Sequence, residues 1–150
     1  MAIKAIYFDM DGTIANLYDD PNWLTKLRAY DATPYENALP MLNMSLLARY
    51  IHQVQKKGIQ VGIISWLSKT STTTYDIEVT NAKMKWLAKH LPSVVFDEVR
   101  IVAYGTPKAT VVEFADEGIL FDDELANRLE WGDNAFEPSA IIETMKRALR

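Results

Sequence analysis

The stretch Ile6-Tyr7-Phe8-Asp9-Met10-Asp11-Gly12-Thr13-Ile14 decides the fold. A hydrophobic run from Ile3 to Phe8 ends in two acids spaced two apart, followed by Gly-Thr. A short apolar run bounded by turn residues reads as a buried strand, here about 3–9. Such a strand cannot carry charge along its length, but its C-terminal end can, and in α/β sheets that end is where sites are built. Asp9 and Asp11 are therefore expected side by side at the mouth of a cleft, with Gly12 letting the chain turn sharply. Two carboxylates at ~4 Å repel by about 4 kcal/mol at an effective dielectric near 20. Either one is protonated or a cation lies between them. A strand closed by an ordinary Asp-Gly turn is the plainer reading of the same residues, and the rest of the chain weighs against it.

Outward from this stretch, apolar runs and helical stripes alternate. Residues 12–21 read as a loop, Asn22 to about Tyr30 as a short helix, and Asp31 to Pro40 as a loop. Leu46, Leu47, Tyr50, Ile51 and Val54 form a stripe at helical spacing, and Gly58 after Lys56-Lys57 stops that helix. Ile59 to Ile64 is a second strand ending in Ser65. Thr73 with Asp76 fits a capping box opening a helix from about Thr74 to Lys89, with Ile77, Met84, Leu87 and Leu91 as its stripe and Trp86 beside it. A third strand, about Val99 to Ala103, leads through Tyr104-Gly105-Thr106-Pro107-Lys108 to a short helix near Val111 to Asp116. A fourth strand, Gly118 to Phe121, ends in Asp122-Asp123. The last helix starts near Pro138, with Ile141, Ile142, Met145 and Leu149 on one face. This alternation is that of an α/β fold with a parallel sheet, and right-handed crossovers bring the strand ends to one edge. Asp9, Ser65, the loop around Lys108, and Asp122-Asp123 are expected to converge there.

The chain has 150 residues, so a single domain is the default. Hydrophobic residues make up 49%, enough for a core and too many for disorder. A net charge of -4 argues against a general nucleic-acid-binding surface, while leaving room for a local basic patch. There are no cysteines, which excludes disulfides, thiolate metal sites and a Cys nucleophile. No apolar segment is long enough to span a membrane, and no signal peptide is visible, so a cytoplasmic location is expected.

Two acids after strand 1, a hydroxyl after strand 2, a lysine after strand 3 and two acids after strand 4, in that order, resemble the haloacid dehalogenase-like (HAD-like) hydrolase superfamily. Its first motif matches Asp9-Met10-Asp11-Gly12-Thr13, its second Ser65, its third Lys108 and its fourth Asp122-Asp123. The resemblance implies a Rossmann-like three-layer sandwich around a central parallel sheet. It implies a Mg²⁺-dependent phosphatase acting on a phosphomonoester through an aspartyl-phosphate. Asp9 would be the nucleophile, Asp11 the general acid and base, and Lys108 the cation pairing the nucleophile and the phosphoryl group. Asp9, the Asp11 carbonyl and Asp122 would hold the metal, with Asp123 assisting through water. Ser65 would donate to a phosphoryl oxygen. Thr13 and Trp66 join Ser65 as expected substrate-binding residues, core packing being an equal reading of Trp66. An acid at position 11 separates phosphoryl transfer from the family's dehalogenases, which need no proton donor there.

Other residues carry weaker signals. Lys69 is the alternative to Lys108. Asn127 and Arg128 are placed to orient the loop after Asp122-Asp123, though a solvated helix face explains Arg128 as well. His52 and His90 fall in or at the end of helices and receive no catalytic role. The insert between the first two motifs, about 15–43, is small, so the cap is minimal or absent and the site is expected to be open unless a second copy of the chain covers it. The Asp-Met-Asp-Gly start and the Asp-Asp ending are similar to those of small deoxyribonucleotidase-type phosphatases, which implies a nucleotide as substrate. Tyr18, Trp23, Tyr30 and Tyr35 of the insert are of the right type to stack on a base, with core or loop packing the plainer reading for most of them. A macromolecular phosphate, on a nucleic-acid end or a phosphoprotein, and a non-catalytic binding module are the competing readings.

Overall fold

The computed structural model describes residues 2–150. In chain order the elements are β1 (Ala5–Phe8), β2 (Ala15–Asn16), α1 (Trp23–Arg28), α2 (Thr33–Asn37), β3 (Leu39–Pro40), α3 (Met44–Lys56) and β4 (Gln60–Trp66). They continue with α4 (Thr73–His90), β5 (Glu98–Val102), β6 (Gly118–Phe121), α5 (Leu125–Trp131), β7 (Ala135–Phe136) and α6 (Ile141–Ala148). Five strands form one parallel sheet in the order β5-β4-β1-β6-β7. The fold is the expected α/β, Rossmann-like sandwich.

β1 is buried throughout because it lies at the centre of the sheet, and its side chains alternate between two cores. Ile6 and Phe8 face a large core with Leu47, Ile51 and Val54 of α3, Trp86 and Leu87 of α4, and Ile141 and Met145 of α6. Ala5 and Tyr7 face a smaller core with Leu120, Phe114 and Trp131. Tyr7 fits there because its neighbour across the strand pair is Gly62, where a Cβ would fall 2.8 Å from the Tyr7 ring. Register sets the edge. Phe8 is level with Phe121 of β6 and Ile63 of β4, so Asp9 and Asp122, each one residue further on, emerge together. β1 and β6 flank the point where the crossovers change direction, which is where ligands bind in sheets of this type.

Several local expectations change. The helix expected near Val111 to Asp116 is replaced by two single 3₁₀ turns, Lys108–Thr110 and Ala115–Glu117. The loop expected at 31–40 contains α2, with Pro34 in its first turn. A fifth strand, β7, extends the sheet beyond the four expected strands, and the helix α5 leads into it. Thr72, one residue earlier than expected, caps α4 by accepting from the Tyr75 N–H at 3.1 Å. The phase of α4 also differs: Ile77 and Met84 are exposed, and the buried face runs through Tyr75, Val79, Ala82, Lys83, Trp86 and Leu87.

The insert is held by its own cluster. Leu17 and Tyr35 pack against Tyr75, Val79 and Ala82 of α4, and the Tyr75 hydroxyl donates to the Asp31 carbonyl at 3.1 Å. β2 and β3 close its base as an antiparallel pair. No helix among the described residues is long and apolar enough to cross a membrane.

Candidate active site

Four buried charged residues, Asp9, Lys83, Lys108 and Asp122, are found among the described residues, and all of them belong to one assembly at the carboxyl edge of the sheet. Lys108, on a 3₁₀ turn after β5, donates to Asp9 Oδ1 at 2.8 Å and to Asp122 Oδ2 at 2.7 Å. Burial alone would lower the pKa of this lysine, but the Asp9 and Asp122 carboxylates outweigh it and hold the ammonium above its ordinary value. Lys69 is exposed, its Nζ 6.0 Å from the centre of the Tyr104 ring. Geometry therefore favours Lys108 as the cation of the site.

The acids outnumber the cations. Asp9, Asp122 and Asp123 each offer a carboxylate oxygen within 4.8 Å of the others. Burial, and then the Asp9 and Asp122 charges, push the Asp123 carboxyl up to about 8. Burial and Asp9 likewise raise Asp122, against the lowering effects of Lys108 and the Glu124 N–H. Three crowded carboxylates facing one ammonium leave negative charge uncompensated, and an oxygen-only donor set of this kind fits a hard divalent cation. The Asp11 side chain lies outside this cluster.

The loop bearing Asp122 is fixed from three sides. Asp122 Oδ1 accepts from the Glu124 N–H at 2.9 Å, its Oδ2 accepts also from Asn127 at 3.1 Å, and its carbonyl accepts from Arg128 at 2.9 Å. Asn127 and Arg128 thus orient the loop. Gly12, at φ +82°, passes so close to Asp123 and Tyr18 that no side chain fits.

Two residues expected to bind substrate are buried beside the acid cluster. Thr13 is 1% exposed, and its hydroxyl lies between Asp9 Oδ2 at 3.0 Å and Asp123 Oδ1 at 3.4 Å while accepting from the Asp123 N–H at 3.2 Å. It ties the two acidic loops together and does not line the cavity. Ser65 is 0% exposed, with its hydroxyl 2.6 Å from Lys83 Nζ, and it too is absent from the cavity wall. Trp66 does line the cavity, 4.9 Å from Tyr104 between ring centres and 5.5 Å from Lys108 Nζ. His52 and His90 lie apart, the former bonded to the Ser93 carbonyl and the latter against Trp86.

A cavity of about 290 Å³ opens above Asp9, Asp11, Lys108 and Asp122. The insert supplies Leu17, Tyr18, Trp23, Leu24, Leu27 and Tyr35 to one side of its wall. Trp66, Tyr104, Lys69 and Ser68 line it as well. Tyr30 and Arg28 of the insert do not reach it. The sequence reading missed Lys83, Ser68 and Tyr104. Lys83 had a signal, since it falls in line with Val79 and Trp86 on the apolar face once the helix phase is right.

No family model matches the chain, and no curated protein matches it. Solved structures do. D,D-heptose 1,7-bisphosphate phosphatase from Burkholderia thailandensis superposes with a TM-score of 0.52 at 17% identity, over 85% of this chain and 71% of that one. A protein described as a HAD-like phosphatase, from Mesorhizobium loti, superposes with a TM-score of 0.57 at 14% identity, over 98% of this chain and 86% of that one. The chain has the HAD-like fold.

Proposed function

We propose that this protein is a phosphatase that hydrolyses a small phosphomonoester through an aspartyl-phosphate on Asp9. One observation carries the reading: Asp9, held at one oxygen by Lys108 and at the other by Thr13, opens into a cavity that Asp11 also lines. A carboxylate so fixed is pre-aimed at a phosphorus atom. An Asp9 oxygen attacks phosphorus, the bond to the leaving oxygen breaks, and a proton on Asp11 passes to that oxygen. Water then attacks the phosphorus of the phospho-aspartate, Asp11 takes its proton, and the bond to Asp9 breaks to release phosphate. Lys108 offsets charge on the phosphoryl group in both steps.

Asp9, Asp122, the Asp11 carbonyl and, through water, Asp123 would hold Mg²⁺. Its chemistry there would be to neutralise phosphoryl oxygens and the carboxylate cluster. The uncompensated acids described above are what support this assignment.

The cavity supports a small substrate over a phosphate on a folded macromolecule. Its ~290 Å³ lies at the small end of ligand pockets, and the insert stands on one side of it. Tyr18, Trp23, Tyr35, Trp66 and Tyr104 present aromatic surface beside the phosphate position, which suits a nucleoside monophosphate or another phosphate ester with a flat apolar group. The test is a turnover screen with p-nitrophenyl phosphate, nucleoside monophosphates, sugar phosphates and a phosphopeptide, run on wild type and Asp9→Asn. The small esters should be hydrolysed by wild type alone, and acid-quenched turnover should leave a phosphoryl group on the peptide containing Asp9. Substantial turnover by Asp9→Asn would move the nucleophile elsewhere.

A further inference from the structure

The reaction scheme uses one of the two buried cations and leaves the other, Lys83, without a part. Lys83 is 1% exposed on α4, among the apolar residues Val79, Ala82 and Trp86. Burying an ammonium is costly unless its donors find acceptors, and here all three do. Its three N–H donors reach Asp11 Oδ2 at 3.0 Å, Ser65 Oγ at 2.6 Å and the Trp66 carbonyl at 2.7 Å. The Tyr35 ring lies 5.1 Å from Nζ, within cation–π range. Every donor of the ammonium is thus engaged.

Asp11 depends on that anchor. Asp9 and Asp122 each have partners on both carboxylate oxygens. The hydrogen bonds of the Asp11 carboxylate among the described residues all run through Oδ2 to Lys83. The last torsion of an Asp side chain is broad and nearly two-fold, so its own rotamer preference does not aim it. We propose that Lys83 is the positioning residue for Asp11: it clamps Oδ2 to the end of β4, through Ser65 and the Trp66 carbonyl, and leaves Oδ1 for the oxygen of the leaving group. This rests on the phosphatase reading.

The consequence is a dependence on the leaving group. p-Nitrophenolate departs without a proton, whereas an alkoxide needs one. Lys83→Met should therefore lower kcat/KM for glycerol 2-phosphate at least about tenfold more than for p-nitrophenyl phosphate, a part of the ~10²–10⁴ that general acid catalysis supplies. kcat/KM reports only steps up to alcohol release, so the later attack by water does not enter. In an Asp11→Asn background the same change should add less than about twofold, since the two residues act as one unit. Should Lys83→Met not fold, Lys83→Arg is read the same way, because a planar guanidinium does not converge on three oxygens as an ammonium does. Equal losses on both substrates would overturn the proposal and leave Lys83 a structural residue. A ¹⁵N spectrum of the lysine side chains adds a readout independent of turnover: the protected Lys83 Nζ signal should move in Asp11→Asn, and an unmoved signal overturns the contact. A wild type that hydrolyses neither ester sinks the phosphatase reading, and the leaving-group role with it.

Discussion

Lys108→Met should separate the two candidate lysines by both stability and turnover. The Lys108 side chain is 4% exposed, and its Nζ lies 2.8 Å from Asp9 and 2.7 Å from Asp122. At an effective dielectric near 20, each pair at that spacing is worth about 6 kcal/mol of attraction. Desolvation cancels most of it. What the substitution leaves behind is two buried carboxylates without their cation, and breaking a buried pair in this way costs about 3–5 kcal/mol. In a chain of this length each kcal/mol lowers Tm by roughly 2–4 °C, so circular dichroism melts in EDTA should show a fall of about 6–20 °C. Turnover of p-nitrophenyl phosphate with Mg²⁺ should fall by roughly 10²–10³, the scale for losing one transition-state electrostatic contact. Lys69→Met is the control. Its side chain is exposed, and a surface change stays within about 0.5 kcal/mol, under ~2 °C in Tm. A Lys108→Met melt within ~2 °C of wild type, or a larger loss of turnover in Lys69→Met, would refute the argument.

Two further outcomes are expected. The Asp123 carboxyl is pushed up to about 8 in the fold, against about 3.9 in the unfolded chain, so between those values the folded protein binds more protons and stability falls as pH rises. Metal-free Tm should accordingly decline from about pH 5 to 8, saturating Mg²⁺ should raise Tm and flatten the decline, and EDTA should abolish turnover; a flat metal-free profile, or activity undiminished by EDTA, removes the basis for the metal. Trp23→Ala and Tyr35→Ala should each change the ratio of kcat/KM between nucleoside monophosphates and p-nitrophenyl phosphate by more than about twofold, or ~0.5 kcal/mol, whereas Arg28→Ala, which does not line the cavity, should not. Ratios that stay constant in both aromatic variants would mean that the insert does not read the substrate.

The sequence by itself determined the parallel α/β sheet and the order of acids, hydroxyl and lysine along its edge. Those features are local: Asp9, Ser65 and Asp122 each close a short apolar run and Lys108 sits in the loop after β5, so the residues that make β1 or β6 also announce Asp9 and Asp122. Features made by non-local pairing were decided by the tertiary structure. β7 has two residues and no apolar run of its own, and it exists because Phe121 and Phe136 pair across the edge. Whether Thr13 and Ser65 meet solvent depended on what packs beside them, a carboxylate pair in one case and a lysine in the other. The insert became a wall of the cavity through the contacts of Leu17 and Tyr35 with α4, which no periodicity within residues 15–43 encodes. Lys83 lies between the two classes. Its position on the apolar face is a matter of helix phase and was legible in principle. That an ammonium is tolerated there was decided only when folding brought Asp11, Ser65 and the Trp66 carbonyl around it, because a buried charge is stable only where all of its donors find acceptors.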